Sequence, residues 1–178
     1  MTRTVTRRCF ASLVLAAALL TIDGPALADS SVAPIHPQAD RLLVLKSERK
    51  LVVLADNEVL RTMDIALGLV PVGHKQREGD FRTPEGVYYI EAKNADSDYF
   101  LSLKVSYPNA ADRAHARQLG VDPGGQIMIH GLPNEPKYDE DLYRGWDWTD
   151  GCIAVSNSDM VDLWLMTSVL LYSRRPRL

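Results

Sequence analysis

Two residues of this chain have the type and the neighbours for covalent chemistry. Cys152 stands in Asp147-Trp148-Thr149-Asp150-Gly151-Cys152-Ile153-Ala154-Val155, a glycine-bearing turn that enters a short apolar run. His130 stands 22 residues earlier in Ile129-His130-Gly131, at the end of another apolar run and directly before a glycine. A cysteine on a turn and a histidine at a strand end are the parts of a Cys–His nucleophilic pair. A free thiol titrates at about 8.5, and an imidazole of pKa about 6.5 beside it can take its proton and hold the thiolate as an ion pair. The competing reading is a buried structural cysteine, and spacing alone does not separate the two.

The N-terminal composition bears on that choice. Arg3, Arg7 and Arg8 make a positive head, residues 10–20 an apolar stretch, and Ala26-Leu27-Ala28 a small-residue exit. This is the layout of a cleaved signal peptide over residues 1–28, and the apolar stretch is short against the about 20 residues of a membrane span. An uncleaved anchor is the alternative. Thr6-Arg7-Arg8-Cys9-Phe10 also has twin-arginine form, although the general secretory route is the main expectation. Cys9 follows Arg8 rather than a lipobox. Cleavage removes a net +2, taking the formal charge from −3 to −5 and leaving Cys152 as the one thiol of the mature chain. A lone thiol in a disulfide-forming compartment is either buried and inert or in use.

The elements that must position these residues read as strands with a few helices. The whole chain has 178 residues, 46% hydrophobic and 24% charged, which excludes disordered, collagen-like and multi-span classes. Its acidic balance supplies no field for nucleic acid. No phosphate-cradling glycine loop is present, and His130 and Cys152 lack a second pair with metal-ligand spacing, so no cofactor and no metal are expected. After a linker over 29–40, apolar runs at 42–45 and 51–54 predict a hairpin, and 59–67 a third strand. Further strands are expected at 86–91, 100–105, 127–129 and 153–155. Residues 110–119 read as a helix with Asn109 as cap and Gly120 as stop, and 159–166 as a second, opened by Ser156-x-x-Asp159. The fold class is therefore mostly β with two or more short helices, in a single domain.

Within that frame, Ile129-His130-Gly131 followed by Thr149-Asp150-Gly151-Cys152 resembles the active-site signature of the YkuD-type L,D-transpeptidases, exported cysteine acyltransferases of the bacterial cell wall. Gly79-Asp80-Phe81-Arg82-Thr83-Pro84-Glu85-Gly86 resembles the family's Thr-Pro-x-Gly segment. Ser106-Tyr107-Pro108-Asn109 and the block around Cys152 resemble the YafK-like branch in particular. The likeness covers about 41–172, with a basic tail over 173–178, read as a solvated end or a weak anchor to anionic wall polymer. Many relatives carry a second histidine where this chain has Asp150, and an arginine where it has Ala154; the spacer between His130 and Thr149 is 18 residues, slightly longer than the common form. These departures leave the acyl acceptor open, because some relatives in this branch hydrolyse links to peptidoglycan.

The resemblance implies a YkuD-like β-sandwich or barrel-type domain working in the periplasm on peptidoglycan stem peptides, with a wall-attached protein as a further partner. It implies no nucleic acid and no stable membrane span after cleavage. It casts Cys152 as nucleophile, His130 as general acid/base, the Gly131 carbonyl as the group orienting His130, and the Gly151 and Cys152 N–H groups as oxyanion donors. Asp150 is read as orienting His130, binding a substrate ammonium or capping a turn. Thr149, Arg82 and Trp148 are candidate substrate contacts; Arg82 reads equally as part of a proline turn, and Trp148, like Trp146, as core packing. Trp164 reads as core, and His74 and His115 as solvent-facing. Three functions follow: an L,D-transpeptidase, a thiol hydrolase or amidase cutting a wall linkage, and a non-catalytic wall-binding module.

Overall fold

In the computed structural model, which describes residues 37–169, the strands fall into two sheets. β1 (Arg41–Leu45), β2 (Lys50–Ala55) and β3 (Glu58–Asp64) form an antiparallel sheet in the order β1-β2-β3. β4 (Ile90–Ser97), β5 (Phe100–Val105), β6 (Met128–His130) and β7 (Ile153–Ala154) form the second in the order β4-β5-β6-β7, antiparallel except for the parallel β6–β7 pair. Helices α1 (Ala110–Leu119), α2 (Glu140–Arg144) and α3 (Asn157–Met166) complete the described residues. The mostly-β class with short helices matches the expectation. The signal assigned to 1–28 and the tail at 173–178 lie outside the described residues.

The expected hairpin forms because alternate residues of its strands face one core: Leu42 pairs with Val53, Val44 pairs with Leu51, and Leu42, Leu51 and Val53 are fully buried. They meet Leu103 and Ile129 of the second sheet and Met160 and Leu163 of α3, each full burial worth about 2 kcal/mol. α3 lies against β5. Its cap is the expected one, Ser156 Oγ accepting from the Asp159 N–H at 3.1 Å, although the helix begins at Asn157 rather than at residue 159. α1 is capped by a closed box: Asn109 Oδ1 accepts from the Ala111 and Asp112 N–H groups, and Asp112 returns a bond to the Asn109 N–H at 2.8 Å.

Two expectations about elements are corrected, and one further helix is added. The third strand stops at Asp64, three residues short of the predicted 67, because the chain leaves its sheet there. It crosses to β7, where Ala66 and Ala154 exchange reciprocal 2.9 Å hydrogen bonds. The strand expected at 86–91 starts at Ile90 and runs to Ser97. Gly86 is at φ 136°, and Tyr88 turns into the core to donate to the Asp112 carboxylate. β4 is a polar, largely exposed edge strand, so it has no apolar period to read. α2 escaped the sequence reading because only Tyr143 of its five residues is buried.

Candidate active site

His130 ends β6, where it pairs with Ser102 on one side and Ala154 on the other. The parallel register of β6 and β7 carries Cys152 alongside Met128, whose N–H points to Sγ at 3.4 Å. His130 thus ends one strand and Cys152 directly precedes the adjacent one, through a pairing that links segments 24 positions apart. Both line a single pocket of about 400 Å³.

The turn before Cys152 is held from several directions. Gly151 sits at φ 127°, and a Cβ there would stand 2.7 Å from the Arg82 carbonyl oxygen, so the close packing of the two loops requires glycine. Thr149 is buried; its hydroxyl donates to the Cys152 carbonyl at 2.8 Å and accepts from the Gly151 N–H at 3.2 Å. Leu69 N–H donates to the Thr149 carbonyl at 3.0 Å, and Thr149 N–H to that of Leu67 at 3.1 Å. Asp147 accepts from the Leu67 N–H at 2.9 Å and from the Arg49 guanidinium. Thr83 of the Thr-Pro segment is buried and accepts from the Gly68 N–H at 3.2 Å, bracing the same crossing.

His130 is more than nine-tenths buried, and its Nδ1–H donates to the Gly131 carbonyl at 2.7 Å. That bond selects the Nδ1–H tautomer and leaves Nε2 as the basic nitrogen, without a protein partner among the described residues. Gly131 itself has no room for a side chain, since a Cβ would stand 2.5 Å from Asn157 Oδ1. Burial pushes the imidazole down to about 4, against the smaller upward effect of the Gly131 bond. The Cys152 thiol is pushed up, first by burial and further by Asp150, with the Met128 N–H and Lys75 opposing. Burial thus favours the neutral thiol and neutral imidazole and works against the expected thiolate–imidazolium ion pair, because desolvation penalises both charges. The thiol instead has Gln126 as its carbonyl acceptor, at 3.5 Å.

Aromatic rings wall the imidazole. Tyr99 lies with its centroid 4.5 Å from that of His130 and 6.1 Å from that of Trp148, and Trp148 stands 5.7 Å from His130. Trp148 is held in turn by α2: its Nε1–H donates to the Tyr143 carbonyl at 3.2 Å, and the two rings meet edge-on. Tyr99 was missed by the sequence reading. The signal for it is the β5–β6 register, which sets Ser102 opposite His130 and so brings the β4–β5 turn over the imidazole.

The remaining candidates separate cleanly. Trp148, Thr149 and Asp150 line the pocket. Asp150 does not orient His130, whose Nδ1 is committed to Gly131. Gly151 does not serve as a free oxyanion donor, because its N–H is given to Thr149; the Cys152 N–H is the donor left without an acceptor among the described residues. Arg82 is absent from the pocket lining and contributes its backbone: its carbonyl packs on Gly151 and its N–H donates to Asp80 at 3.2 Å. Trp146 is exposed and off the pocket, and Trp164 is half-buried beneath the Lys93 ammonium. His115 is exposed as expected. His74 is not a free surface group: Nδ1 accepts from the Glu85 N–H at 2.9 Å and Nε2 lies 3.1 Å from Asp112.

Comparison with known proteins finds relatives of this domain. The family model described as YkuD, L,D-transpeptidase catalytic domain, matches residues 39–169. A protein of Escherichia coli (strain K12) named "Putative L,D-transpeptidase YafK" is 42% identical over 62 residues, 34% of this chain and 23% of the relative. Among solved structures, the helical cell shape determining protein Pgp2 from Campylobacter jejuni aligns with TM-score 0.53 at 25% identity, covering 76% of this chain and 45% of its own. Bd1075 of Bdellovibrio bacteriovorus shares the fold with TM-score 0.52 at 23% identity, covering 80% of this chain and 50% of its own. The chain thus spans half or less of the length of these relatives.

Proposed function

The chain belongs to the YkuD family of L,D-transpeptidase catalytic domains, and on that premise we propose that it is an exported, periplasmic cysteine acyltransferase acting on peptidoglycan stem peptides. The observation that carries the reading is the meeting of Cys152 and His130 in one pocket, with the imidazole already oriented by the Gly131 carbonyl. Its likeness to a helical cell shape determining protein supports a place in wall remodelling.

The chemistry follows from a neutral pair. As Sγ attacks the scissile amide carbonyl, its proton passes to His130 Nε2, so the thiolate forms only as the new C–S bond does. The Cys152 N–H donates to the developing oxyanion; one such donor is worth about 3 kcal/mol. The imidazolium then gives its proton to the departing amine as the C–N bond breaks, leaving a thioester on Cys152. An acceptor amine, deprotonated by His130, attacks that thioester and returns the thiol. The lowered imidazole pKa suits the donor step, since a weakly basic His130 releases its proton readily.

The test is incubation of the purified protein with muropeptides, with and without an added amine acceptor. A new cross-linked or amine-capped product that disappears in Cys152→Ala supports acyl transfer. Cleavage with water as sole acceptor reassigns the protein as a thiol hydrolase on the same intermediate. No product in either case overturns both.

A further inference from the structure

Lys75 is only 3% exposed, and its ammonium donates to the Asp80 carboxylate at 2.8 Å and to the Arg77 carbonyl at 3.1 Å. Neither Lys75 nor Asp80 lines the pocket of Cys152. Asp80 is the hub of its loop. It also accepts from the Gln76 N–H at 2.7 Å and from the Arg77 and Arg82 N–H groups, each at 3.2 Å. Burial works to raise its carboxyl, yet these four bonds together hold it down at about 2, so the pair is ionised. Taking two charges out of water costs desolvation that their attraction hardly repays, and apolar side chains of like size are often as stable. Stability alone does not explain this pair.

Its place in the fold does. The loop over 75–83 touches both segments that hold the nucleophile. On one side, the Glu78 N–H donates to the Asp122 carbonyl at 2.8 Å, and a Cβ on Gly124 would stand 3.2 Å from the Glu78 Cα. That segment leads to Gln126, whose carbonyl accepts from the Cys152 thiol. Gln126 is held at φ 55°, a left-handed backbone that persists in such a residue only when its surroundings fix it. On the other side, the Arg82 carbonyl packs on Gly151, and Thr83 Oγ1 lies 3.5 Å from the Cys152 carbonyl. Phe81, between Asp80 and Arg82, is left-handed as well, at φ 57°. Against the rise that burial imposes on the thiol, the Met128 N–H and the Lys75 ammonium act downward, and Lys75 is the one side-chain cation among these influences.

We propose that Lys75 is a positioning residue for Cys152: pinned by Asp80, its ammonium sets the 75–83 loop that braces Gly151 and the Gln126 segment, and its charge offsets the negative charge that grows on the sulphur. It rests on the acyltransfer reading and adds to it a residue outside the pocket. The other charged groups along these seams are Arg77, Glu78 and Arg82 on the loop, Asp122 opposite it and Asp150 on the nucleophile's turn, with His130 in the pocket. All of them stay in place in the variants that test it.

The charge effect can be read without turnover. In the full chain carrying Cys9→Ser, Cys152 is the one thiol, and its iodoacetamide alkylation rate is followed against pH, with urea unfolding as the check on the fold. Lys75→Met keeps the stem and removes the charge. Its alkylation profile should move to higher pH, lowering the rate near neutral pH by about threefold or more. On wall peptides its kcat should fall by about tenfold or more with little change in KM. Lys75→Arg keeps the charge and should hold the wild-type profile. Should Lys75→Met leave the Asp80 carboxylate stranded and unfold, the uncharged pair Lys75→Met/Asp80→Asn is expected to show the same shift. A wild-type profile in the folded uncharged variant, or an equal shift in folded Lys75→Arg, overturns the proposal. A profile that depends on Lys75, with no turnover of wall peptides by the wild type, defeats the acyltransfer reading and leaves the positioning role standing. Wild-type turnover that Lys75→Met leaves unchanged, with an unmoved profile, does the reverse.

Discussion

The Asp147 carboxylate grips the Arg49 guanidinium through both oxygens, at 2.7 to 3.1 Å, across 98 positions of sequence. The same carboxylate accepts from the Leu67 N–H, so one side chain ties the β1–β2 turn, the crossing segment and the loop that leads to Cys152. Replacing Asp147 by Ala strands both a guanidinium and a backbone donor. Because Arg49 is more than a third exposed, the expected cost is about 1–2 kcal/mol rather than that of a buried pair. Urea unfolding of Asp147→Ala and Arg49→Met measures it, and a midpoint equal to wild type in both would show that the grip adds nothing.

Cys152→Ala should abolish turnover with the fold kept, and Cys152→Ser should retain little, since a hydroxyl gives up its proton far less readily than a thiol. The double variant Cys152→Ala/His130→Ala should be no slower than Cys152→Ala alone, because groups that act as one unit do not add. Wild-type turnover in Cys152→Ala would remove the thioester from the mechanism.

The thiol should titrate above the ordinary cysteine range, because burial and the Asp150 charge both raise it. Iodoacetamide alkylation rate against pH reads this directly. Asp150→Asn should move the profile to lower pH, and His130→Ala should cut turnover by about 10²-fold or more, the usual scale for a positioned base. A midpoint well below 8 in wild type would restore the preformed ion pair that burial argues against.

Folding stability should depend on His130 at mildly acid pH. Its folded pKa, about 4, lies below the ordinary 6.5, so the unfolded chain takes up the proton first as pH falls. Stability is then full above 6.5, declines as pH drops toward 4 and levels off beneath it, a loss of about 3 kcal/mol if His130 acts alone. His130→Gln has nothing to protonate and should lose less between pH 7 and 4 under the same denaturant titration. Parallel losses in the two proteins would place the effect elsewhere.

His74→Ala should lower stability by about 1–3 kcal/mol and leave kcat unchanged. The ring accepts from the Glu85 N–H with Nδ1 and meets the Asp112 carboxylate with Nε2, so its removal unpairs a backbone donor and takes one of several partners from the mostly buried Asp112. Thermal unfolding with parallel kinetics separates the two effects. A fall in kcat without loss of stability would tie this cluster to the reaction.

What the sequence determined by itself was local. The β1–β2 hairpin, both capped helices and the Cys152–His130 candidates are each written in a few neighbouring residues: an apolar alternation, an Asn109 or Ser156 cap, a glycine beside a thiol. Tertiary structure decided whatever depends on residues distant in sequence. Gly151 loses its N–H to Thr149 inside the turn, and Arg82 turns its carbonyl rather than its side chain toward the nucleophile's loop. Tyr99 and Asp98, on a polar edge hairpin without an apolar period, reach the pocket only because Ser102 registers with His130 and Asn134 ties down the turn. The charge state of the pair was decided at the same level. A thiolate–imidazolium pair needs surroundings that stabilise both charges, but burial removes the water that would do so, and no residue type along the chain reports how much water folding will exclude.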